Sequence, residues 1–283
     1  MRRDLPLCFL FNLLCLGLGA GLFAPADAAA EIVFNSLGES YFDNFESYTA
    51  SGMQPGGGGG TLDSNVWEIS FFDSMGSQSS GIGSSHGSGL FGRGLSSVAG
   101  TEQGVYAYQT GNGNTALGIA LDSTELAGAF PALEITNNTG SVIDWIDVSY
   151  DVWVFNQTDV QSFVDLEFSK DSLFVDPLFF ETPATADGLV SWTMTPISYS
   201  LLLPITSTTD FSTPLTPLAN GESIELGFSI GKFGGIGDSD GVAIDNLRIT
   251  VGTTAIPEPN AINCLIALSS LLSLRRSRRP HAK

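Results

Sequence analysis

Between Val142 and Phe155 the chain alternates. The even positions are Val142, Asp144, Ile146, Val148, Tyr150, Val152 and Val154, and the odd ones are Ile143, Trp145, Asp147, Ser149, Asp151, Trp153 and Phe155. Side chains on a strand point to opposite faces at each step, so a period of two with one apolar face predicts a long, half-buried strand. Phe163–Phe168 repeats the pattern, with Val164, Leu166 and Phe168 inward and Asp165 and Glu167 outward. In Ser223–Ile230 the inward set is Ile224, Leu226, Phe228 and Ile230, and Leu247, Ile249 and Val251 close the body as a last strand. Further strands are expected at Ile32–Phe34, Ser40–Phe45, Trp67–Phe72, Gly104–Tyr108, Ala116–Leu121, Ala132–Ile135 and Leu189–Met194.

Turn residues separate these runs, as at Asn137-Asn138-Thr139-Gly140 and Ala219-Asn220-Gly221. Ser123–Ala129 is the only weak helical candidate. Many short strands with Gly/Asn/Asp turns predict an all-β fold, a single jelly-roll-like β-sandwich. Pro55 with Gly56–Gly60 is expected to be a flexible tether, and Asp73–Gly94 a Gly/Ser-rich surface excursion.

Only 14% of the 283 residues are charged, against roughly 25% in ordinary soluble domains. Aliphatic and aromatic residues are plentiful enough to exclude global disorder. The charge is also uneven. Residues 31–255 hold 27 acids against Arg93, Lys170, Lys232 and Arg248, a net charge of −23, while most basic residues lie at the two ends. Such a body repels phosphate, which excludes nucleic acid as a partner. Cys8, Cys15 and Cys264 also lie near the ends. The body therefore has neither a disulfide nor a cysteine metal site, and its core must suffice alone.

Residues 1–30 read as a secretory signal peptide. Arg2 and Arg3 precede an apolar run from Leu5 to Leu18, and Ala24-Pro25-Ala26 and Ala26-Asp27-Ala28 offer cleavage sites. Residues 31–255 are then the β-sandwich domain. Residues 256–283 form a separate tail. It holds Pro257-Glu258-Pro259, a 14-residue apolar stretch over 261–274, and a cluster of Arg275, Arg276, Arg278 and Arg279. The stretch is short for a bilayer span, but the arginines lie where a stop-transfer needs them.

Chemistry-bearing residues are sparse. Gly83-Ser84-Ser85-His86-Gly87 fits the pattern of a nucleophile elbow, but that motif needs a strand before it and a helix after it. His86 is also the body's only histidine and abuts Ser85, so a hydrolase triad is rejected. Asp238-Ser239-Asp240-Gly241 places two acids before a glycine, as in loops that wrap oxygens around calcium. Asp245 follows, and Asp43 and Glu46 lie near the body's other end, whose strand is an expected neighbour of the last. These five are the candidate calcium ligands, with a solvated acidic turn as the plain alternative. Trp145 and Trp153 share a strand face with Asp147, Ser149 and Asp151. Aromatics beside carboxylates suit sugar rings, and burial of both indoles under another element is the alternative.

Pro-Glu-Pro, an apolar stretch and an Arg cluster, in that order behind a signal peptide, resemble the PEP-CTERM sorting signal of bacterial exported proteins. The body is similar to uncharacterised β-sandwich domains that accompany this signal. That similarity lies in Ala116-Leu117-Gly118, in Leu133–Ser141, in the strand to Tyr150, and in Asp240-Gly241-Val242-Ala243-Ile244-Asp245-Asn246. The resemblance implies a surface protein of bacteria with an outer membrane and exopolysaccharide. It also implies transient anchoring in the inner membrane and processing by an exosortase-type enzyme, and it carries over no catalytic residue. The expected function is that of a non-enzymatic exported surface or extracellular-matrix protein. Two competing readings are a carbohydrate-binding module and a secreted hydrolase built on a carboxylate pair.

Overall fold

The computed structural model describes residues 31–73, 78–80, 85–87, 89–121, 126–171, 173–183, 185–186, 191–204, 215–233 and 240–254. The expected signal peptide, the Pro-Glu-Pro tail and Asp238 lie outside the described residues. The described residues up to Gly252 belong to one compact unit, and Thr253 and Thr254 fall outside it. The described residues are all-β, with no helix among them. None, accordingly, is a helix long and apolar enough to cross a membrane.

Two seven-stranded sheets form a sandwich-like arrangement. Sheet A runs β13 (Leu173–Glu181), β12 (Ser162–Lys170), β15 (Ser223–Lys232), β10 (Leu126–Asn137), β5 (Glu68–Asp73) and β6 (Gln78–Ser80), and β1 (Glu31–Phe34) lies parallel to the end of β10. Sheet B runs β14 (Thr193–Leu202), β11 (Trp145–Phe155), β16 (Gly241–Gly252), β9 (Asn114–Ala120), β8 (Gly104–Gly111) and β7 (Leu95–Ser96), with β2 (Ser40–Asp43) beside the second half of β16. A short parallel pair, β3 (Met53–Gln54) and β4 (Leu62–Asp63), stands apart.

The alternation read from the sequence sets the core. Ile146, Val148, Tyr150, Val152 and Val154 of β11 face Val164, Leu166 and Phe168 of β12 and Ile224, Leu226, Phe228 and Ile230 of β15 in one buried cluster. Tyr150 meets Phe228 edge-on at 4.9 Å. Each such side chain contributes about 1.5–3 kcal/mol on burial.

Several expectations are corrected. Residues 126–129 of the weak helical candidate enter β10, where pairing with β5 and β15 overrides local propensity. The strand expected at Leu189–Met194 is β14, which begins at Thr193. The glycine run is a bonded turn instead of a loose tether. Gln54 Nε2 donates to the carbonyls of Gly57 (2.7 Å) and Gly58 (3.0 Å), and the Gly56 amide donates to Asp63 Oδ1 (2.7 Å). All five glycines, 56 to 60, have φ between 60° and 91°, a region other residues rarely enter. Within the Gly/Ser excursion, His86 pairs with Met53 through two 2.8 Å backbone bonds and packs on Phe91 at 4.5 Å. That is a strand bridge, with no helix following.

Candidate functional site: a groove on the outer face of sheet B

With its even residues committed to the core, β11 presents Trp145, Asp147, Ser149, Asp151 and Trp153 on the outer face of sheet B. The neighbouring strand β16 cannot keep a simple alternation. Val242 and Ile244 point into the core, and so do Leu247, Ile249 and Val251. The change of parity is absorbed at Asp245 and Asn246, where the register with β11 slips between Ser149 and Asp151 and Asn246 takes φ 51°. This is a β-bulge, which places one extra residue on the strand and re-aims its side chains. Both Asp245 and Asn246 thereby join Asp151.

The three residues form a bonded set. Asn246 Nδ2 donates to Asp151 Oδ2 at 2.8 Å, and the Asn246 amide donates to Asp245 Oδ1 at 2.7 Å. Asn114 Nδ2, from β9, donates to Asp245 Oδ2 at 2.8 Å. Asp245 is 0% exposed. Burial pushes its pKa up to about 6 and the nearby Asp151 adds to the rise, while the Asn114 and Asn246 bonds pull it down.

Beside this set lies an open groove of about 560 Å³, lined by Phe42, Ser149, Asp151, Pro196, Asn246 and Arg248 among others. Phe42 comes from β2, whose alternation turns Tyr41 toward the core and Phe42 outward. Phe42 is 48% exposed. The Arg248 guanidinium carbon lies 5.2 Å from its ring centroid, in cation–π range. The groove thus offers an exposed ring, a carboxylate, an amide and a guanidinium side by side. Ser200 and Asp147 are hydrogen-bonded further along the same face.

The two expected sugar-contact tryptophans flank the groove without lining it. Trp145 is half-buried and packs on the bare backbone of Gly252, where an added Cβ would lie 2.2 Å from the indole. Trp153 packs against a second small core of Tyr106, Tyr108, Ala116, Ala120 and Ala243, beside Trp192. Trp192 stands 4.6 Å from Tyr108, and its indole donates to the Ser97 carbonyl at 3.0 Å. The segment around Ser97–Gly100 and Trp192 therefore covers that half of the face. Adjacent aromatics at Tyr41-Phe42 and a lone Arg248 in an apolar strand were the sequence signals of the groove, since one of two neighbouring strand residues must face out.

The candidate calcium ligands are dispersed. Asp43 accepts from Tyr41 Oη and Trp67 Nε1, both at 3.1 Å, and lies opposite Leu247. Glu46 is exposed. Asp245 faces Asp151, and Asp240 lies beyond the start of β16. Among the described residues no three His, Cys, Asp or Glu side chains are grouped to hold a metal ion.

No protein-family model matches the chain, and no curated protein matches it. Among solved structures the chain is similar to the CBM22-1 xylan-binding domain from Paenibacillus barcinonensis Xyn10C, at 12% identity over 78% of this chain and 99% of that one, with a TM-score of 0.36. It is similar also to TmCBM61 in complex with β-1,4-galactotriose, at 15% identity over 51% and 74%, TM-score 0.30. A third is a family 11 carbohydrate-binding module from Clostridium thermocellum in complex with a β-1,3-1,4-mixed-linked tetrasaccharide, at 18% identity over 54% and 86%, TM-score 0.25. At these TM-scores the likeness transfers neither a site nor a ligand to this chain.

Proposed function

We propose that the β-sandwich is a carbohydrate-binding body without catalytic activity, and that it binds sugar in the groove between Phe42 and Asp151. The observation that carries this reading is the juxtaposition of the exposed Phe42 ring with Asp151, Asn246 and Arg248 in a groove of about 560 Å³. Ligand sites of roughly 300–1,000 Å³ combine apolar surface with a few fixed polar groups. A pyranose needs that combination, since its C–H face packs on a ring and its hydroxyls both donate and accept. Asp151 and Asn246 are held by each other, so their free lone pairs and donors are already oriented. The hydrolase reading is weaker. Asp245 opposes Asp151 across the bulge, but a fully buried carboxyl cannot reach a leaving group.

The ends of the chain support delivery to the surface. Residues 1–30 would direct export, and residues 256–283 would hold the chain briefly in the inner membrane for an exosortase-type enzyme, placing the body on exopolysaccharide. A glycan-array screen of the mature body tests the binding reading. A wild type that binds, with Phe42→Ala and Asp151→Ala each losing at least tenfold, about 1.4 kcal/mol, is the expected result. A wild type that binds no glycan, or a Phe42→Ala variant that binds equally well, would overturn it.

A further inference from the structure

The groove carries a cation that the acidic body leaves unmatched. Residues 31–255 hold 27 acids and four cations. Arg93 and Lys170 each meet a carboxylate at 2.8 Å. Arg248 does not. Among the described residues its guanidinium makes no ion pair and no hydrogen bond, and its contact is the Phe42 ring, 5.2 Å from the guanidinium carbon to the centroid. Asp245 lies three residues away on the same strand, but it is turned to Asn114 and Asn246.

The register fixes this arrangement. Arg248 stands between Phe42 on β2 and Ser149 on β11. Leu247 and Ile249 enter the core on either side of it, so its side chain leaves by the outer face, where Arg248 is exposed. A guanidinium resting on a ring keeps its N–H donors in its own plane, and that planar fork matches a carboxylate bidentately. The ring also restricts the long side chain before any ligand arrives, so less freedom is lost on binding.

Asp151 supplies a second fixed point. It lies two residues from Ser149 on β11, roughly 7 Å along the strand. Its Oδ2 accepts from Asn246 at 2.8 Å, and its Oδ1 accepts no hydrogen bond among the described residues. A carboxylate accepts from hydroxyls and repels another carboxylate. A uronic acid separates the two groups in the same way. Its carboxylate sits on C5, and the hydroxyls on C2 and C3 lie across the ring.

We propose that the groove selects a uronate residue, with its carboxylate bidentate on Arg248, its ring against Phe42 and its ring hydroxyls on Asp151. This rests on the sugar reading of the groove and names the class of sugar. One guanidinium matches one charge. A dense polyanion would be repelled by the acids of the body. A single uronate in contact with Arg248 escapes most of that repulsion, because acids beyond about 8 Å are largely screened at 0.15 M salt while the contact pair is not. The ligand is therefore a largely neutral polysaccharide with uronates spaced along it.

An array of neutral oligosaccharides that each carry one uronate, printed beside the methyl ester of the same compound, tests this with the full chain at about 0.15 M salt. Esterification removes the charge and keeps the ring and its hydroxyls. On the backbones that are bound, the free acid should bind about tenfold more tightly than its ester. Arg248→Gln should bring the two within about twofold, and Arg248→Lys, which keeps the charge without the fork, should retain an intermediate preference. Ester binding by Arg248→Gln close to that of wild type shows that the variant folds. An oligouronate of the same length should bind more weakly than the singly charged compound. Acid and ester bound equally by the wild type, a preference untouched by Arg248→Gln, or tighter binding of the oligouronate overturns the uronate assignment and leaves the sugar reading standing. A wild type that binds no sugar of any kind overturns both.

Discussion

Asp165 and Glu167 stand two residues apart on β12, on the outer face of sheet A, because Val164, Leu166 and Phe168 turn inward. Asp165 is only 5% exposed, and its Oδ1 has no hydrogen-bond partner. Asp176 from β13 and Glu225 and Ser229 from β15 surround the pair. Burial, then Asp176, raises the Asp165 pKa from 3.8 to about 7. Burial, then Asp165 and Asp176, raises that of Glu167 from 4.5 to about 8. Above pH 4–5 the unfolded chain has released these protons and the folded chain still holds them. The pair's stabilisation is thus fully present below the unfolded values and is lost as pH rises through 7 and 8. Glu222 acts in the opposite sense. Its bond to Lys170 Nζ at 2.8 Å lowers its pKa, so that contribution is lost as pH falls. Maximum stability is therefore expected near pH 5. Between pH 5 and pH 9 the wild type should lose on the order of 1–2 kcal/mol, after discounting for remaining solvent contact. Asp165→Asn/Glu167→Gln should flatten that decline in thermal melts across the range. A decline equally steep in the double variant would mean that other groups cause it.

At the scale of the element, the bulge in β16 links fold to site. Asn246 holds φ 51°, a left-handed conformation that asparagine tolerates and β-branched residues do not. Asn246→Val should cost about 1–3 kcal/mol, seen as a lower urea midpoint at an unchanged slope. Asn246→Gly should keep the backbone and most of the stability but lose the bond to Asp151 and weaken sugar binding. If both variants are equally stable, the backbone at this position is unstrained. The same bulge explains what the sequence concealed. Strands β11, β12 and β15 were legible because each keeps its period without interruption. In β16 only Leu247, Ile249 and Val251 were legible, since the extra residue breaks the alternation before them. In β13, Pro177 falls where the register with β12 slips between Leu166 and Phe168. Neither its start nor its end alternates, and a proline argues against a central strand. It is tolerated because β13 is an edge. Pro196 marks β14 at the corresponding edge of sheet B. The groove was half legible. Parity put Asp151 and Ser149 on the right face, but the covering of Trp153 by Trp192 and the Ser97–Gly100 segment is a contact between distant parts of the chain. No local pattern reports it.

At the scale of the whole molecule, the core of residues 31–252 spans both sheets, and the sheets should melt together. Phe228 of sheet A meets Tyr150 of sheet B at its centre. Phe228→Ala should cost about 3–5 kcal/mol and lower the far-UV and near-UV transitions equally. Separate transitions would show that the sheets are held independently. Opposing this core is the charge. Of the body's four cations, Arg93 pairs with Glu102 and Lys170 with Glu222, both at 2.8 Å, while Arg248 rests on Phe42. The acids outnumber them by 23, so the compact state carries a net self-repulsion that unfolding relieves. Screening should relieve it too. The Debye length falls from about 30 Å at 0.01 M salt to about 8 Å at 0.15 M, so repulsion between distant surface charges is largely screened at the higher salt. Tm should therefore rise between those two salt concentrations. The shift should be larger at pH 9 than at pH 5, because Asp165 and Glu167 add their charges only at the higher pH. A Tm that falls with salt at both pH values would mean that local attractions, such as Lys170–Glu222, outweigh the repulsion of the whole surface.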